Sequence, residues 1–249
     1  MSETETNSSP RISVVVPVMN EEGNVATLLN EIVTALRGGA AFEALFVDDC
    51  SSDGTLEALT QLKSEVPELR VIAHDVNCGQ SAAIRSGILS ARGVLIATLD
   101  GDGQNNPADI PKLIAQYDRA GRPEDERLVA GQREKRMDTW SKRMASRVGN
   151  GVRGWLLKDK TRDTGCGLKL FEREAFLRLP YFDHMHRFLP ALFMREGYQI
   201  SHVDVSHRER QSGTSKYTNL QRLLVSLSDI FGVIWLRRRA RMPGERREV

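Results

Sequence analysis

The side chains best suited to chemistry in this sequence lie in one acidic segment, Asp100-Gly101-Asp102-Gly103-Gln104. The segment directly follows residues 94–99, an apolar run rich in β-branched residues that predicts a buried strand. Ligands of open α/β sheets bind at the carboxyl ends of the strands. Oxygen ligands spaced this closely suit Mg²⁺ or Mn²⁺, so Asp100, Asp102 and Gln104 are candidate metal ligands. The alternative is a polar loop whose two glycines only permit a tight turn.

The elements that would position this segment alternate between strands and helices. Strands are predicted at residues 12–17, 44–47, 69–73 and 94–99, and Pro17 ends the first because proline cannot donate to a sheet ladder. Three helices are predicted between them, the first with an apolar face from Val25 to Leu36 and the others over residues 55–66 and 80–91. This order predicts a parallel sheet with right-handed crossovers and with the loops on one edge. The predicted fold class is α/β, a Rossmann-like, mostly parallel sheet flanked by helices.

The second half of the chain is more basic, and it follows a helix at residues 108–119, where Pro107 takes the first position, and a strand at 128–131. Its predicted elements are a helix-compatible stretch at 140–157, a loop at 161–167, a strand at 168–171, a helix at 172–179, a helical segment at 187–196, a strand at 199–206 and a basic loop at 207–216. We expect a disordered lead-in over residues 1–10, followed by one domain over 11–216. Within this domain we expect a nucleotide-binding half to about residue 131 and, from 132, an acceptor half that would bind a second substrate. A separate helix over 217–241 and a tail over 242–249 complete the chain.

Composition argues against several classes of protein. The net charge of the 249 residues is only +2, which does not predict nucleic-acid binding. Cys50, Cys78 and Cys166 are far apart and form no Cys-x-x-Cys pair, which argues against a disulfide framework or a zinc site. The first ten residues lack the basic and apolar regions of a secretory signal, and no apolar run approaches the roughly 20 residues of a membrane-spanning helix. We therefore expect a cytoplasmic protein.

The last predicted element is an amphipathic helix over residues 217–241. Apolar residues from Leu220 to Trp235 recur at three- and four-residue spacings, and an arginine cluster follows at residues 237–241. Such a stripe packs against a core or lies at a membrane interface. The arginines beside Trp235 favour attraction to anionic lipid, which would make the protein peripheral on the inner face of the cell membrane.

Four motifs occur in order and at plausible spacing. They are residues 16–22 (VPVMNEE), 47–55 (VDDCSSDGT), 77–80 (NCGQ) and 100–104 (DGDGQ). Together they resemble the family-2 glycosyltransferases of the GT-A fold, although any one of them alone would be weak. Residues 163–169 (DTGCGLK) and 210–217 (RQSGTSKY) are similar to the branch that uses polyprenyl phosphates, which includes dolichol-phosphate mannosyltransferases and undecaprenyl-phosphate sugar transferases. The resemblance covers about residues 11–217.

The resemblance implies roles for the residues at matching motif positions. Nucleotide contacts are implied for Pro17, Asn20, Glu21, Asp49, Gln80 and Asp100. Carboxylates accept hydrogen bonds from base N–H groups and sugar hydroxyls, and the helix N-terminus beside Gln80 suits a diphosphate. The alternative for Asp49 is a helix cap or turn former. Asp100, Asp102 and Gln104 would hold Mg²⁺ or Mn²⁺ as the implied cofactor.

A phosphate acceptor requires positive charge, and the candidate acceptor-binding residues are Arg133, Lys142, Arg143, Arg147, Arg210 and Lys216. Guanidinium and ammonium groups bind phosphate oxygens well. Arg133, Arg210 and Lys216 are favoured because each lies in a loop at a motif position, and the alternative for the others is a solvated surface charge. The predicted catalytic residues are Asp102, Asp163, Arg210 and Lys216. Many relatives carry a further acidic or aromatic residue where Cys166-Gly167 stands here, which leaves Asp163 as the carboxylate of that segment.

The leading hypothesis is metal-dependent, inverting transfer of a sugar from a uridine- or guanosine-diphosphate sugar to an undecaprenyl- or dolichyl-type phosphate, making a lipid-linked sugar donor for envelope glycan or lipid modification. A phosphate monoester is largely ionised at neutral pH and needs little help from a general base. The metal would neutralise the departing nucleoside diphosphate. The alternatives are a glycan hydroxyl as acceptor, and a catalytically silent nucleotide-sugar-binding subunit on an integral membrane partner. A homo-oligomer is the other assembly considered.

Overall fold

The computed structural model describes residues 9–133, 161, 163–206, 208 and 219–241, with the side chains of the last range from Ser228 onward. Its strands are β1 (Ile12–Val18), β2 (Phe42–Asp48), β3 (Leu69–Ala73), β4 (Leu95–Thr98), β5 (Glu126–Arg133), β6 (Lys169–Glu172) and β7 (Gln199–Val205). Its helices are α1 (Glu22–Leu36), α2 (Thr55–Leu62), α3 (Gln80–Ser90), α4 (Ile110–Tyr117), α5 (Arg173–Leu177), α6 (Leu189–Arg195) and α7 (Asn219–Arg239). Single turns of 3-10 helix cover Pro107–Asp109 and Met185–Phe188.

Within the described ranges, seven strands form one sheet in the order β3-β2-β1-β4-β6-β5-β7. β1 is parallel to β2 and to β4, and β2 is parallel to β3. β6 is antiparallel to both of its neighbours, β4 and β5, while β7 is parallel to β5. The expected α/β fold with a mostly parallel sheet is confirmed. The strands of both predicted halves belong to this one sheet, because β6 lies between β4 and β5.

Apolar side chains cover both faces of the sheet. Val14 and Val16 of β1 join a cluster that contains the apolar face of α1, whereas Val15 joins a second cluster with α3 and α6. Successive side chains of a strand point to opposite faces, so a strand that is buried on both faces has a continuously apolar sequence. The apolar face predicted for α1, from Val25 to Leu36, is buried.

The prediction that Pro17 ends β1 is wrong, because β1 continues to Val18. β4 pairs with β1 only as far as Val15, whose carbonyl accepts a hydrogen bond from Leu99 N at 3.3 Å. In a parallel pair, residues two apart direct their backbone groups to the same neighbouring strand. Pro17 therefore faces the β4 side beyond the last residue of that strand, and the ladder does not need its missing N–H.

Other predicted boundaries differ by a few residues. The helix predicted over 108–119 begins as the 3-10 turn Pro107–Asp109, and α4 ends at Tyr117. Asn106 caps that turn, since its Oδ1 accepts a hydrogen bond from Ala108 N at 3.1 Å. β4 begins at Leu95, and Val94 before it is 67% exposed. The helix predicted at 140–157 lies outside the described residues, as does all of the basic loop at 207–216 except Arg208.

Helix α7 combines the two alternatives for the C-terminal helix. Val233 is fully buried in the second apolar cluster, and Arg195 Nε donates to Leu236 O at 3.1 Å. Phe231 and Trp235 are nevertheless 69% and 59% exposed. One face of α7 thus packs on the domain while another presents aromatic side chains to solvent. None of the helices in the described part of the chain combines the length and apolar character needed to cross a bilayer.

The substitution Gly87→Ala tests the close packing of α3 on β1. A Cβ at position 87 would lie 2.5 Å from a methyl carbon of Val15 and 3.1 Å from one of Val47. Because these side chains are confined in the core, we expect the free energy of unfolding to fall by about 1–3 kcal/mol in urea denaturation. Gly232→Ala is the matched control, since a Cβ there would meet nothing within 4 Å. Equal effects of the two substitutions would contradict this account of the packing.

Candidate active site

The acidic segment lies at the carboxyl edge of the sheet, directly after β4. It passes close to the end of β1, because a Cβ at Gly101 would lie 2.8 Å from Pro17 O. Gly103 has φ +71°, a left-handed conformation that favours glycine. Gly101 is thus required by the close approach to β1, whereas Gly103 is favoured by its backbone conformation, and the turn brings Asp100 and Asp102 to the same edge as the loops after β1 and β2.

Asp100 is held by contacts from two other loops. Gln80 Nε2, at the N-terminus of α3, donates to Asp100 Oδ1 at 2.8 Å. Asp100 N donates to Asn105 Oδ1 at 3.2 Å, which closes the acidic segment on itself. Gly167 packs so closely that there is no space for a Cβ beside Asp100 Oδ2. Gln80 and Asp100, which the resemblance separately assigns to nucleotide contacts, therefore lie in direct contact with each other.

The surroundings of Asp100 disfavour the charged form of its carboxyl group. Burial raises the pKa of its carboxyl group, and the negative charge of Asp102 raises it further. The positive charge of Lys169 and the hydrogen bond from Gln80 oppose this shift without cancelling it. Two adjacent carboxylates with this electrostatic conflict, followed by an amide side chain, form an oxygen donor set that fits Mg²⁺ or Mn²⁺. Asp102 Oδ1 also accepts a hydrogen bond from Gln104 N at 3.1 Å, so the predicted ligands share one turn.

Asp49 accepts four hydrogen bonds from the loop between β3 and α3. His74 Nδ1 lies 2.8 Å from Oδ1, and Cys78 N donates to the same oxygen at 2.9 Å. Asn77 Nδ2 donates to Oδ2 at 3.1 Å, and Gly79 N donates to it at 2.7 Å. The buried carboxylate thus anchors the loop that leads to Gln80, which matches the turn-former alternative. Its contact with a nucleotide stays a prediction.

Asn20 and Glu21 connect the loop after β1 to the loop after β2. Asn20 has φ +55°, and its Oδ1 accepts a hydrogen bond from Ser52 N at 2.7 Å. Glu21 N donates to Thr55 Oγ1 at 2.9 Å, and Glu21 Oε2 accepts from Asn24 Nδ2 at 2.6 Å. These bonds fix the edge at which the resemblance expects a nucleotide. The nucleotide contacts themselves stay predictions.

The N-terminus of α3 is also fixed by the 3-10 turn Met185–Phe188. Ser81 Oγ lies 2.7 Å from His186 Nδ1 and accepts a hydrogen bond from His186 N at 3.3 Å. Ser81 follows Gln80 directly, so the turn orients the residue that contacts Asp100. The sequence predicts a helical segment at 187–196, but its local pattern does not show that residues before this segment contact the N-terminus of α3.

Arg133 and Asp163, predicted for the acceptor phosphate and for the reaction centre, form an ion pair with each other. Arg133 Nε donates to Asp163 Oδ2 at 2.5 Å, and a second guanidinium nitrogen donates to Oδ1 at 2.7 Å. Both side chains are largely buried. Asp163 raises the pKa of Arg133, and the charge of Asp100 contributes to the shift. The pair is therefore part of the electrostatic environment of the acidic segment.

Five of the predicted acceptor and catalytic residues lie outside the described residues, namely Lys142, Arg143, Arg147, Arg210 and Lys216. Two residues near the site had no predicted role. Lys169 is buried at the start of β6, and its ammonium group donates to Cys166 O. Arg208 N donates to Gln104 O at 3.1 Å. Lys169 could have been identified from the sequence, because it interrupts the apolar residues of the strand predicted at 168–171. The contact made by Arg208 could not, because it depends on the order of the strands in the sheet.

The chain matches known proteins in sequence and in structure. Residues 13–179 match the model of glycosyl transferase family 2. The chain is 34% identical over 241 residues to dodecaprenyl-phosphate galacturonate synthase of Rhizobium johnstonii, a match that covers 95% of this chain and 70% of the relative. It is 32% identical over 222 residues to undecaprenyl-phosphate 4-deoxy-4-formamido-L-arabinose transferase of Edwardsiella ictaluri, covering 88% of this chain and 66% of the relative. The chain thus spans about two thirds of the length of these relatives.

Solved structures support the same fold. Glucosyl-3-phosphoglycerate synthase from Mycobacterium tuberculosis, in complex with Mn²⁺, uridine diphosphate and glucosyl-3-phosphoglycerate, superposes with a TM-score of 0.67. That match has 17% sequence identity and covers 92% of this chain and 80% of the other. The complex of the same synthase with Mg²⁺ and uridine diphosphate also gives a TM-score of 0.67, with 17% identity and coverage of 92% and 79%. At this identity the likeness shows the fold alone, and it confirms the expected architecture.

A pH series tests the buried environment of His186. Burial and the positive charges of Arg187 and Lys169, with a smaller effect of His184, lower the pKa of His186 to about 3. An unfolded histidine titrates near pH 6.5, so below that pH the unfolded chain binds a proton that the folded chain does not. Stability is therefore fully present above about pH 6.5 and declines as the pH falls towards 3. Urea denaturation between pH 7 and 5 covers a range in which most carboxyl groups do not titrate. The free energy of unfolding of His186→Asn should fall less over this range than that of the wild type. An equal pH dependence of the two proteins would contradict a neutral, buried His186.

Proposed function

This chain belongs to glycosyl transferase family 2, and from that premise we propose that it transfers a sugar from a nucleoside diphosphate to a polyprenyl phosphate at a membrane surface. The observation that carries the choice of acceptor is the similarity, over most of the chain, to two enzymes named for dodecaprenyl and undecaprenyl phosphate. The donor class is inferred from the acidic segment at the carboxyl edge of a mostly parallel sheet, where nucleotides bind in folds of this type.

The route of the chain near the acidic segment supports a phosphate acceptor. Arg208 N donates to Gln104 O at 3.1 Å, so Arg208, which is two residues before Arg210 in the sequence, lies beside the predicted metal ligands. Guanidinium and ammonium groups are suited to phosphate oxygens. We infer that Arg210 and Lys216 bind the acceptor phosphate. Arg133 is the third residue inferred to bind it, because its positive charge interacts with the negative charge of Asp100 in the acidic segment.

The ion pair of Arg133 and Asp163 also favours a phosphate acceptor over a glycan hydroxyl. A hydroxyl acceptor needs a general base to remove its proton. The carboxylate of Asp163 is largely buried and accepts two hydrogen bonds from the guanidinium group of Arg133, so both of its oxygens are already engaged in an ion pair. An ionised phosphate oxygen does not need such a base, so in this proposal the pair shapes and balances the charge of the site.

The proposed reaction is a single displacement that inverts the anomeric carbon. The acceptor phosphate oxygen forms the new bond to that carbon, and the bond to the β-phosphate oxygen of the nucleotide breaks. Asp100, Asp102 and Gln104 would hold a divalent cation, which when bound neutralises negative charge on the diphosphate. Gln80 orients Asp100, and Asn105 fixes its backbone. The protein thus contributes mainly positioning and charge compensation.

Membrane attachment is proposed for the exposed face of α7. Phe231 and Trp235 are largely exposed, and Arg237, Arg238 and Arg239 follow in the last turn. An aromatic face beside a basic cluster suits the interface of an anionic bilayer. The proposed location is therefore the cytoplasmic face of the cell membrane, where a polyprenyl phosphate and a soluble nucleotide sugar can both reach the site.

A transfer assay tests the proposed reaction directly. Purified protein, undecaprenyl phosphate and Mg²⁺ or Mn²⁺ are incubated with a panel of radiolabelled uridine- and guanosine-diphosphate sugars, and the label in organic-extractable lipid is counted. We expect one donor to label the lipid, with loss of label on chelation. Asp102→Ala should reduce the rate about 100-fold or more, the scale of losing one group that stabilises transition-state charge.

The matched control for this assay is Glu65→Ala, which removes an exposed carboxylate from the turn before β3, at the amino ends of the parallel strands and so at the edge of the sheet opposite the acidic segment. It should leave the rate unchanged. Binding of a nucleotide sugar without any labelling of lipid would overturn the choice of acceptor. Labelling that survives both chelation and Asp102→Ala would overturn the proposed metal site.

A vesicle flotation assay tests the role of α7. The wild type should bind vesicles containing phosphatidylglycerol, bind neutral phosphatidylcholine vesicles weakly, and lose affinity at high salt because surface charges are screened. Replacing Phe231 and Trp235 together by serine should weaken binding by at least about tenfold, given the apolar area that two aromatic side chains bury. Leu89 and Val94, which are also exposed, provide the control double serine variant. Equal losses in the two double variants would contradict a specific role for α7.

A further inference from the structure

The loop between β3 and α3, residues 74–79, leads directly into Gln80 and so into the contact with Asp100. Residues 75–78 are all exposed. A loop whose side chains are exposed is not held in place by apolar packing, so its position depends on hydrogen bonds. Gly79, at the N-cap position of α3, has no side chain that could cap the helix. The groups that hold this loop therefore determine where Gln80 lies.

His74, the first residue of this loop, connects three elements. Its backbone N–H donates to Asp48 O, at the end of β2, at 2.9 Å. Its ring Nδ1 lies 2.8 Å from Asp49 Oδ1, and its ring Nε2 lies 2.9 Å from Ser86 Oγ. We call Asp49, His74 and Ser86 the His74 bridge. The bridge joins the end of β2, the start of the loop and the middle of α3.

The partners of the imidazole ring determine where its proton lies. A carboxylate oxygen only accepts hydrogen bonds, so Nδ1 of His74 carries a proton and donates it to the hydrogen bond with Asp49. In the neutral ring Nε2 has no proton, and it accepts a hydrogen bond from the hydroxyl group of Ser86. Both nitrogens are thus used in one orientation of the ring, and the side chain of His74 is only 15% exposed. The ring is therefore a fixed spacer between Asp49 and α3.

The other end of the loop is held by the same carboxylate. Cys78 N donates to Asp49 Oδ1 at 2.9 Å, and Gly79 N donates to Oδ2 at 2.7 Å. Gly79 directly precedes Gln80 and has φ +85°, a backbone conformation that favours glycine. His74 therefore orients the carboxylate that fixes the last peptides before Gln80, and with its second nitrogen it also holds the helix.

We propose that His74 is a positioning residue that fixes the N-terminus of α3, and with it Gln80, and thereby sets the affinity for the nucleoside diphosphate of the donor. This inference rests on the proposed function, because it takes this edge of the sheet to bind a nucleotide together with a divalent cation. His74 acts through Gln80, whose Nε2 donates to Asp100 Oδ1 at 2.8 Å. No contact with substrate is assigned to His74.

Amide hydrogen exchange tests the positioning step without any substrate. In His74→Ala the Asp49 carboxylate loses the partner that orients it. The amide protons of Cys78 and Gly79, which donate to this carboxylate, should therefore exchange at least about tenfold faster, and their rates should rise by more than those of β1. A uniform rise over the loop and β1 would contradict a local role.

Calorimetric titration with uridine diphosphate and with guanosine diphosphate, each with Mn²⁺, tests the consequence for binding. For a nucleotide that binds the wild type, His74→Ala should weaken binding about tenfold, because displaced groups lose much of their contribution. His74→Asn keeps an N–H near the position of Nδ1 but is too short to reach Ser86. It should therefore match Ser86→Ala, with a loss of about fivefold, the scale of one hydrogen bond.

A double-mutant cycle tests whether His74 acts through Gln80. Once Gln80→Ala has removed the contact with Asp100, adding His74→Ala should weaken nucleotide binding by no more than about a further twofold. Steady-state kinetics give a second test. His74→Ala should raise the KM for the nucleotide sugar about tenfold and change the KM for undecaprenyl phosphate by less than about twofold, because only the donor edge is displaced.

The matched control is His202→Ala. His202 Nε2 lies 3.2 Å from Thr161 Oγ1, so this substitution also removes an imidazole that contacts a hydroxyl group. His202 is on β7, at the opposite edge of the sheet from β3. The substitution should leave the nucleotide affinity and the exchange of the Cys78 and Gly79 amides unchanged. Thermal melting of every variant establishes that the variants compared are folded.

The outcomes separate this inference from the proposed function. If neither nucleotide binds the wild type, the proposed function fails at its donor, and the inference that rests on it fails as well. If a nucleotide binds the wild type and His74→Ala equally well, only the inference is overturned. Independent losses in the double variant, a parallel rise in both KM values, or equal effects of His74→Ala and His202→Ala would also overturn it. If a nucleotide binds but no lipid is labelled, the proposed acceptor fails, and the binding results still decide the inference.

Discussion

The structure around the active site depends on the electrostatic conflict between two carboxylates at the end of β4. Burial and the neighbouring Asp102 both oppose ionisation of Asp100. The surrounding elements moderate this conflict with a neutral donor, Gln80 from α3, and with a cation, Lys169 from β6. Fixed partners of this kind are worth more in a partly buried site than in water, because the local dielectric is lower. Loops from separate strands thus converge on the carboxylate of Asp100. The two carboxylates of the acidic segment still leave an excess of negative charge, which suits a divalent cation.

Local sequence pattern was sufficient for the first half of the sheet. Four apolar strands alternating with three helices have few arrangements other than a parallel sheet with right-handed crossovers, and β3, β2, β1 and β4 are indeed neighbours in parallel pairs. The same rule brings the loops after β1, β2 and β4 to one edge, so the acidic segment was correctly predicted at a strand end. The prediction for Pro17 was wrong because it assumed that a neighbouring strand needs a hydrogen bond from the proline nitrogen. That nitrogen points towards β4, but β4 pairs with β1 only as far as Val15, so no hydrogen bond is lost.

The pairings of charged side chains could not be predicted in this way. The chain contains 35 Lys and Arg and 33 Asp and Glu residues, so composition alone allows a great number of ion pairs. Arg133 and Asp163 are 30 residues apart, and Arg208 and Glu31 are 177 apart. These pairs form only because β6 is inserted antiparallel between β4 and β5 and β7 is added beside β5. No local periodicity of the sequence predicts that order of strands. The hydrogen bonds of Asp49 could not be predicted either, because they depend on the path of the whole loop between β3 and α3.

The position of β6 determines how far the molecule can be treated as modular. β6 is contributed late in the chain, yet it supplies the neighbour of β4, the strand that carries the acidic segment. A fragment ending near residue 131 would expose the backbone edge of β4 and part of both apolar clusters, and such an edge readily pairs with other chains. The predicted nucleotide-binding and acceptor halves therefore form one folding unit and cannot be exchanged independently. Altered acceptor preference is more readily engineered by exchanging the segments that connect the strands than by recombining whole halves.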